Sequence, residues 1–280
     1  MAVTTFKPEI WAQLLLATLD KALVYGQAGV VNRDYEGEIS QQGDTVRIGA
    51  VDDPTIGDYT GAAIVPEDLT TTEQTMPIDQ AKFFAFKLDD VDRAQVASAG
   101  GLMQESMRRA AFGLRDVADQ YIASLYTGVA AGNTLGTVAV TTGDIAYGVL
   151  RDLGVLLDEA DVPMEGRYVV VPPWFHGLLL DVDRFVRADA YGSTRPIRNG
   201  EVGEALGFRV LKSNNTPNPA GDDNVVQAGY SGAISYAEQI VDTEAFRSQD
   251  FFADVVRGLH VYGAKLTRPT GIATCVASQT

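Results

Sequence analysis

The segment from Asp52 to Gln80, DDPTIGDYTGAAIVPEDLTTTEQTMPIDQ, limits what this 280-residue chain can become. Thr, Gly, Asp and Pro dominate it, and its large apolar residues are too few to bury strands of its own. A stretch of this length between better-packed segments is either disordered or a loop completed by another subunit. Ile56, Tyr59, Ile64 and Met76 are interleaved through it and favour the second reading. With Trp11 and Leu15 upstream, they are the residues expected at an assembly interface.

Upstream, KPEIWAQLLLATLDKALVYG reads as one amphipathic helix. Pro8 and Glu9 suit a first turn, Leu14, Leu15, Leu19, Ala22 and Leu23 recur at helical spacing, and Gly26 is a stop. Val46, Ile48 and Ala50 then alternate with Thr45, Arg47 and Gly49 at strand period, up to the Asp53-Pro54 turn. After the polar excursion, AKFFAFKLDDVD reads as a strand leading into a helix start. The clearest helix follows. Met103, Met107, Ala110, Ala111, Leu114, Ala118, Tyr121, Ile122 and Leu125 hold one stripe, while Arg108, Arg109, Arg115 and Asp119 lie off it. About two dozen residues at 1.5 Å each span roughly 36 Å, enough for a strut.

The second half alternates helix and strand. GDIAYGVLRDLGVLLDEA is a helix, EGRYVVVPP a buried strand ended by Pro172, and WFHGLLLDV a short helix with Pro173 in its first turn. GFRVLKSNN and NVVQAG read as short strands. DFFADVVRGLHVYGAKLTRP is strand-like and is expected to return to the region before the long helix.

Charge bounds the partners. With 37 acidic and 22 basic residues the formal net charge is -15, which repels phosphate backbones and argues against a protein built to grip nucleic acid. It does not exclude a container for DNA, whose wall works better if DNA does not stick. Arg108, Arg109 and Arg115 are the most concentrated basic feature; they read as a solvated helix face, with contact to packaged DNA left open. The run IWAQLLLATL, broken by Gln13, is far short of the roughly 20 residues that cross a bilayer, and no membrane partner is expected. Cys275 has no companion, so the chain is expected to fold in reducing cytosol with a quiet thiol.

Catalytic and metal chemistry would need more than the sequence offers. Its two histidines are His176, among the apolar residues of PPWFHGLLL, and His260, in the alternating run GLHVYGAK. The first reads as a packed histidine and the second as a strand residue. GYSGA, around Ser231, departs from a nucleophile elbow because Ala233 stands where glycine is required. Asp89, Asp90 and Asp92 read as caps of the helix expected at VDRAQV in preference to a cation site. NGEVGEALG, with Glu201 and Glu204 inside it, reads as a turn. No catalytic residue, cofactor or metal ligand is assigned, and the chain is not expected to be an enzyme.

Several runs taken in order carry a resemblance. They are FKPEIWAQLLL, LVYG, NRDYEGEISQQGDTVRIGAV with DPTIGDYT, IDQAKFFAFKLDDVDRAQ, RYVVVPPWFHGLL, GEVGEALGFRVLKSNN, and AGYSGAISYAEQI with VRGLHVYGAKLTRP. Their number and order resemble the major capsid proteins of tailed phages, especially the coat proteins of phages that infect actinobacteria. The resemblance implies the α+β tailed-phage capsid fold. Its parts would be an N-terminal arm over 1–40, an extended loop over 41–80, a peripheral domain over 81–144 and 250–280 with a spine helix at 103–126, and an axial domain over 145–249. It further implies self-assembly through hexamers and pentamers into an icosahedral shell around double-stranded DNA, held without sequence-specific contacts. A portal protein is an implied partner, and a decoration protein is left open. The recognisable arm begins within the first ten residues, so a separate scaffolding protein is expected. The shell would form in the host bacterial cytoplasm and become the virion capsid. Some capsids of this fold join a loop lysine to a neighbour's asparagine; here no lysine lies between Lys21 and Lys82. An encapsulin-like compartment with the same fold is the alternative, followed by an unrelated α/β enzyme.

Overall fold

The computed structural model describes residues 23–35, 45–51, 56, 71–89, 99–182, 201–247 and 253–280. The expected N-terminal helix, with Trp11 and Leu15, lies outside these residues, as do Tyr59, Ile64, Asp90 and Asp92.

Strands β1 (Thr45–Val51) and β2 (Thr71–Pro77) pair antiparallel, with Val46 opposite Met76. Strand β3 (Gln80–Asp89) leads to helix α1 (Ala99–Ser124), then β4 (Thr134–Ala139) and helix α2 (Gly143–Glu159). Strand β5 (Arg167–Val171), helix α3 (Pro173–Leu180) and strands β6 (Glu201–Ala205), β7 (Phe208–Lys212) and β8 (Asn224–Tyr230) follow. Strands β9 (Ile234–Arg247), β10 (Ala253–Leu266) and β11 (Ile272–Ser278) complete the order. One sheet runs β3-β10-β9, and a larger one runs β4-β11-β8-β5-β7-β6.

Local sequence accounts for most of these elements. The α1 stripe buries Met107, Ala111, Leu114, Ala118 and Ile122 at three- and four-residue spacing. Thr142 caps α2, its hydroxyl accepting from the Ile145 amide at 3.4 Å, and Asp144 places negative charge in the first turn. Pro173 occupies the first turn of α3, where a missing N–H costs nothing. Leu206 and Gly207 both hold positive φ, 53° and 79°, so a two-residue turn joins β6 to β7.

Period two in β5 divides the core. Tyr168 and Val170 point into a cluster with α1, Tyr236 and Tyr262, whereas Val169 and Val171 point into a second cluster with α2 and α3. The larger sheet is therefore covered on both faces, and α1 is the layer it shares with the smaller sheet. A third cluster joins Val46, Ile48, Met76 and Ile78 to Ala237 and Val261.

Several expectations are corrected. β10 pairs with β3, just before the long helix, but β11 leaves that sheet and pairs parallel with β4 and antiparallel with β8. β9, expected in the axial part, pairs with β10 along most of its length. The strut spans Ala99–Ser124 and tightens to a 3-10 turn over Leu125–Gly128. The helix expected at VDRAQV, and with it the capping by Asp90 and Asp92, lies outside the described residues, while Asp89 ends β3. Among the described residues of NGEVGEALG, Glu201–Ala205 form strand β6, and Leu206 and Gly207 make the turn.

Candidate assembly interface

The strands bordering the polar excursion are rooted in their own subunit. Val46, Ile48, Met76 and Ile78 are buried against β9 and β10. Lys265 Nζ donates to the Thr75 carbonyl at 2.8 Å, and Tyr121 OH donates to Asp79 Oδ1 at 3.1 Å. Gly263 is required at the crossing: a Cβ there would collide with the Pro77 carbonyl oxygen and lie 2.8 Å from Ile78 Cδ1. Met76, expected to meet a neighbour, is fully buried within this footing and offers no surface. The excursion has more apolar anchorage at its base than its composition suggests. Beyond the base, Ile56 is 96% exposed.

Two buried acids hold the early chain onto this frame. Asp119, expected on the solvent side of α1, is buried and accepts from the amides of Val24, Tyr25 and Gly26 at 3.0 to 3.3 Å. Burial pushes its carboxyl up to about 6, against the pull of those amides and the Arg115 charge. Glu238 on β9 pairs with Arg33, accepts from Tyr236 OH at 2.6 Å and lies 3.0 Å from His260 Nε2. Burial raises the Glu238 carboxyl, but the His260 and Arg33 charges and the two hydrogen bonds outweigh it and hold it below its usual value. His260 is thus a strand residue, as expected, and also part of a buried charge cluster.

Large apolar residues are exposed on β3 and on α1. Phe83 is 79% exposed in the middle of β3, while Phe84 and Phe86 pack toward α1. Three phenylalanines within four positions cannot all face one side of a strand, so the run KFFAF already carried this signal. Phe112, 58% exposed, lies on the outer face of α1 with Arg115 stacked on its ring at 4.1 Å. Arg108 and Arg109 extend that face and pair with Glu105.

The residues weighed for chemistry are dispersed. Burial and the Lys212 charge hold His176 below its ordinary value. Burial, with the Asp152 charge, pushes the Cys275 thiol up to about 12. Ser231 lies in the turn after β8. Among the described residues, no three His, Cys, Asp or Glu side chains are grouped to hold a metal, and no helix is long and apolar enough to cross a membrane.

Residues 71–275 match the family described as phage capsid protein. The chain belongs to this family. The capsid protein is similar to a chain of Mycobacterium phage Che8, with 31% identity and a TM-score of 0.71 over 98% of this chain and 94% of that one. It also resembles the capsid structure of the cyanophage P-SCSP1u, at 16% identity and a TM-score of 0.66 over 100% and 91% of the two chains. The holo-SrpI encapsulin complex from Synechococcus elongatus PCC 7942 shares the fold at 10% identity and a TM-score of 0.57, covering 86% and 85%. No curated protein matches the chain. The fold is the α+β tailed-phage capsid fold expected from the sequence, and the capsid protein is a structural component of the virion shell.

Proposed function

We propose that the capsid protein assembles through hexamers and pentamers into an icosahedral shell around phage double-stranded DNA, without sequence-specific contacts. The near-full-length likeness to the Che8 chain carries this reading, and it favours a phage shell over an encapsulin-like compartment. A net charge of -15 suits a wall that does not retain its contents by adhesion. The chain contributes contacts and no chemistry of its own. A separate scaffolding protein sets curvature in the host cytoplasm, a portal protein occupies one vertex, and a decoration protein would add to the outside.

In this reading residues 1–40 form the arm and 41–80 the extended loop. The peripheral unit comprises β3, α1, β9 and β10. The axial unit comprises the larger sheet with α2 and α3, including β4 and β11. Particles recovered from an infected lysate test the reading by electron microscopy and nuclease treatment. Closed shells of this polypeptide holding nuclease-protected DNA are expected; shells that hold only protein cargo would favour the compartment.

A further inference from the structure

Helix α2 ends in a braced knob with an apolar tip. The Val162 amide donates to the Leu157 carbonyl at 3.0 Å, and Asp161, at φ 53°, takes the left-handed position that closes the helix. Gly166, at φ 76°, turns the chain into β5. The buried Arg167 holds the stretch between them: Nε donates to the Pro163 carbonyl at 2.9 Å, Nη2 to the Val162 carbonyl, and Nη1 pairs with Asp158 at 2.7 Å. Met164, at the tip of this braced loop, is 75% exposed. Glu159, Asp161 and Glu165 stand within five positions of it, exposed, and pair with no basic residue among the described residues.

The outer face of α1 has the opposite character. Glu105, Arg108, Phe112 and Arg115 follow one another at three- and four-residue spacing, with Arg109 and Asp116 beside them. Three arginines against two acids leave this face net positive in a chain of formal net charge -15. Phe112 is its exposed apolar centre, under the Arg115 guanidinium. Arg108 and Arg109 share the single Glu105 carboxylate, at 3.9 and 3.2 Å, which leaves donors on both guanidiniums for a further acid.

Knob and face of one subunit cannot meet, because the larger sheet lies between them. Tyr168 and Val170 of β5 pack toward α1, and Val169 and Val171 toward α2. Contact therefore joins two copies, and it joins different surfaces of each, the head-to-tail kind of interface that closes into rings. Copies of so acidic a chain repel on the whole, so a contact that sets opposite charges face to face has the advantage. The thioether packs well against an aromatic ring, and the carboxylates suit guanidinium forks. One knob buries far less than the roughly 1,200 Å² of a lasting pair, so the contact belongs to a closed ring and not to a free dimer.

We infer that the Met164 knob of one subunit seats on the Phe112 face of the next, with Glu159, Asp161 and Glu165 meeting the arginines of α1. This rests on the shell reading and names a contact within its rings.

Met164→Cys and Phe112→Cys in one chain, assembled into particles and treated with a short bismaleimide, test it. The expected product in SDS is a ladder through pentamers and hexamers, with at least tenfold less from either single variant. Cys275 is buried and stays silent. In parallel, Arg108→Glu with Arg109→Glu should cut particle yield at least tenfold without unfolding the free subunit, and adding Glu159→Lys with Glu165→Lys should restore most of it. Particles without the ladder, or reversed arginines that assemble like wild type, overturn the inference alone. So does a reversal that lowers only the DNA content of particles, which would assign the face to packaged DNA. Wild-type protein that forms no particles, with or without co-expressed assembly partners, overturns the shell reading and the inference with it.

Discussion

Asp119 Oδ1 on α1 accepts a hydrogen bond from the Tyr25 amide at 3.2 Å, across 94 positions of sequence. The same carboxyl serves the amides on either side, so one side chain fixes where the early chain meets the strut. Asp119→Ala leaves buried donors without an acceptor and should cost on the order of 3 kcal/mol in urea unfolding of the free subunit. The folded pKa, about 6, lies above the ordinary 3.8. The folded state therefore holds the proton more tightly, and this group's contribution is fully present below about 4 and lost as pH rises through about 6. Asp119→Asn should remove that slope.

Glu238 has the opposite sign. Its carboxyl is held below the ordinary 4.5, so its contribution is present above that value and lost as pH falls through the lower folded pKa. Glu238→Ala removes the acceptor that Tyr236 and Arg33 share beside the buried His260 and should cost on the order of 3 kcal/mol by the same unfolding measurement. As pH falls below 4.5 the wild type should lose stability more steeply than the variant, until the folded carboxyl is itself protonated.

Gly263→Val tests the root of the excursion. The added carbons meet the Pro77 carbonyl and Ile78 and would lift the β1–β2 pair from its seat. A loss of roughly 1–3 kcal/mol is expected, with particle yield falling further than stability alone explains.

The sequence made the α1 stripe, the two-sided burial of β5 and the Pro173 helix start legible, because each depends on a local period or cap. Asp119 was missed because its partner is the backbone of a distant segment, and an acid off an apolar stripe normally faces water. Glu238 in SYAEQIV has the spacing of an inward strand position, but only the fold brings Arg33 and His260 to it. Sheet membership of β4 and β11 was likewise hidden, since parallel pairing over such separation leaves no local signal. Among the expected interface residues, Met76 turned inward because its position opposite Val46 sets it on the buried side of its pair. Ile56 stayed outside.

Covalent linkage through the excursion is chemically closed. Its nearest lysines, Lys82 and Lys87, belong to β3 at the base, and the guanidinium of Arg47 is a poor nucleophile. Mature particles boiled in SDS with reductant should run as a 30.0 kDa monomer. A ladder of dimers through hexamers with a lysine–asparagine bond by mass spectrometry would contradict this.

The central claim is that this polypeptide builds a closed shell, and cryo-electron microscopy of particles bearing it tests that most directly. The account predicts hexamers and pentamers of this chain, each subunit's 52–70 segment lying over its neighbour. Small closed oligomers at every concentration, with or without co-expressed assembly partners, would contradict it.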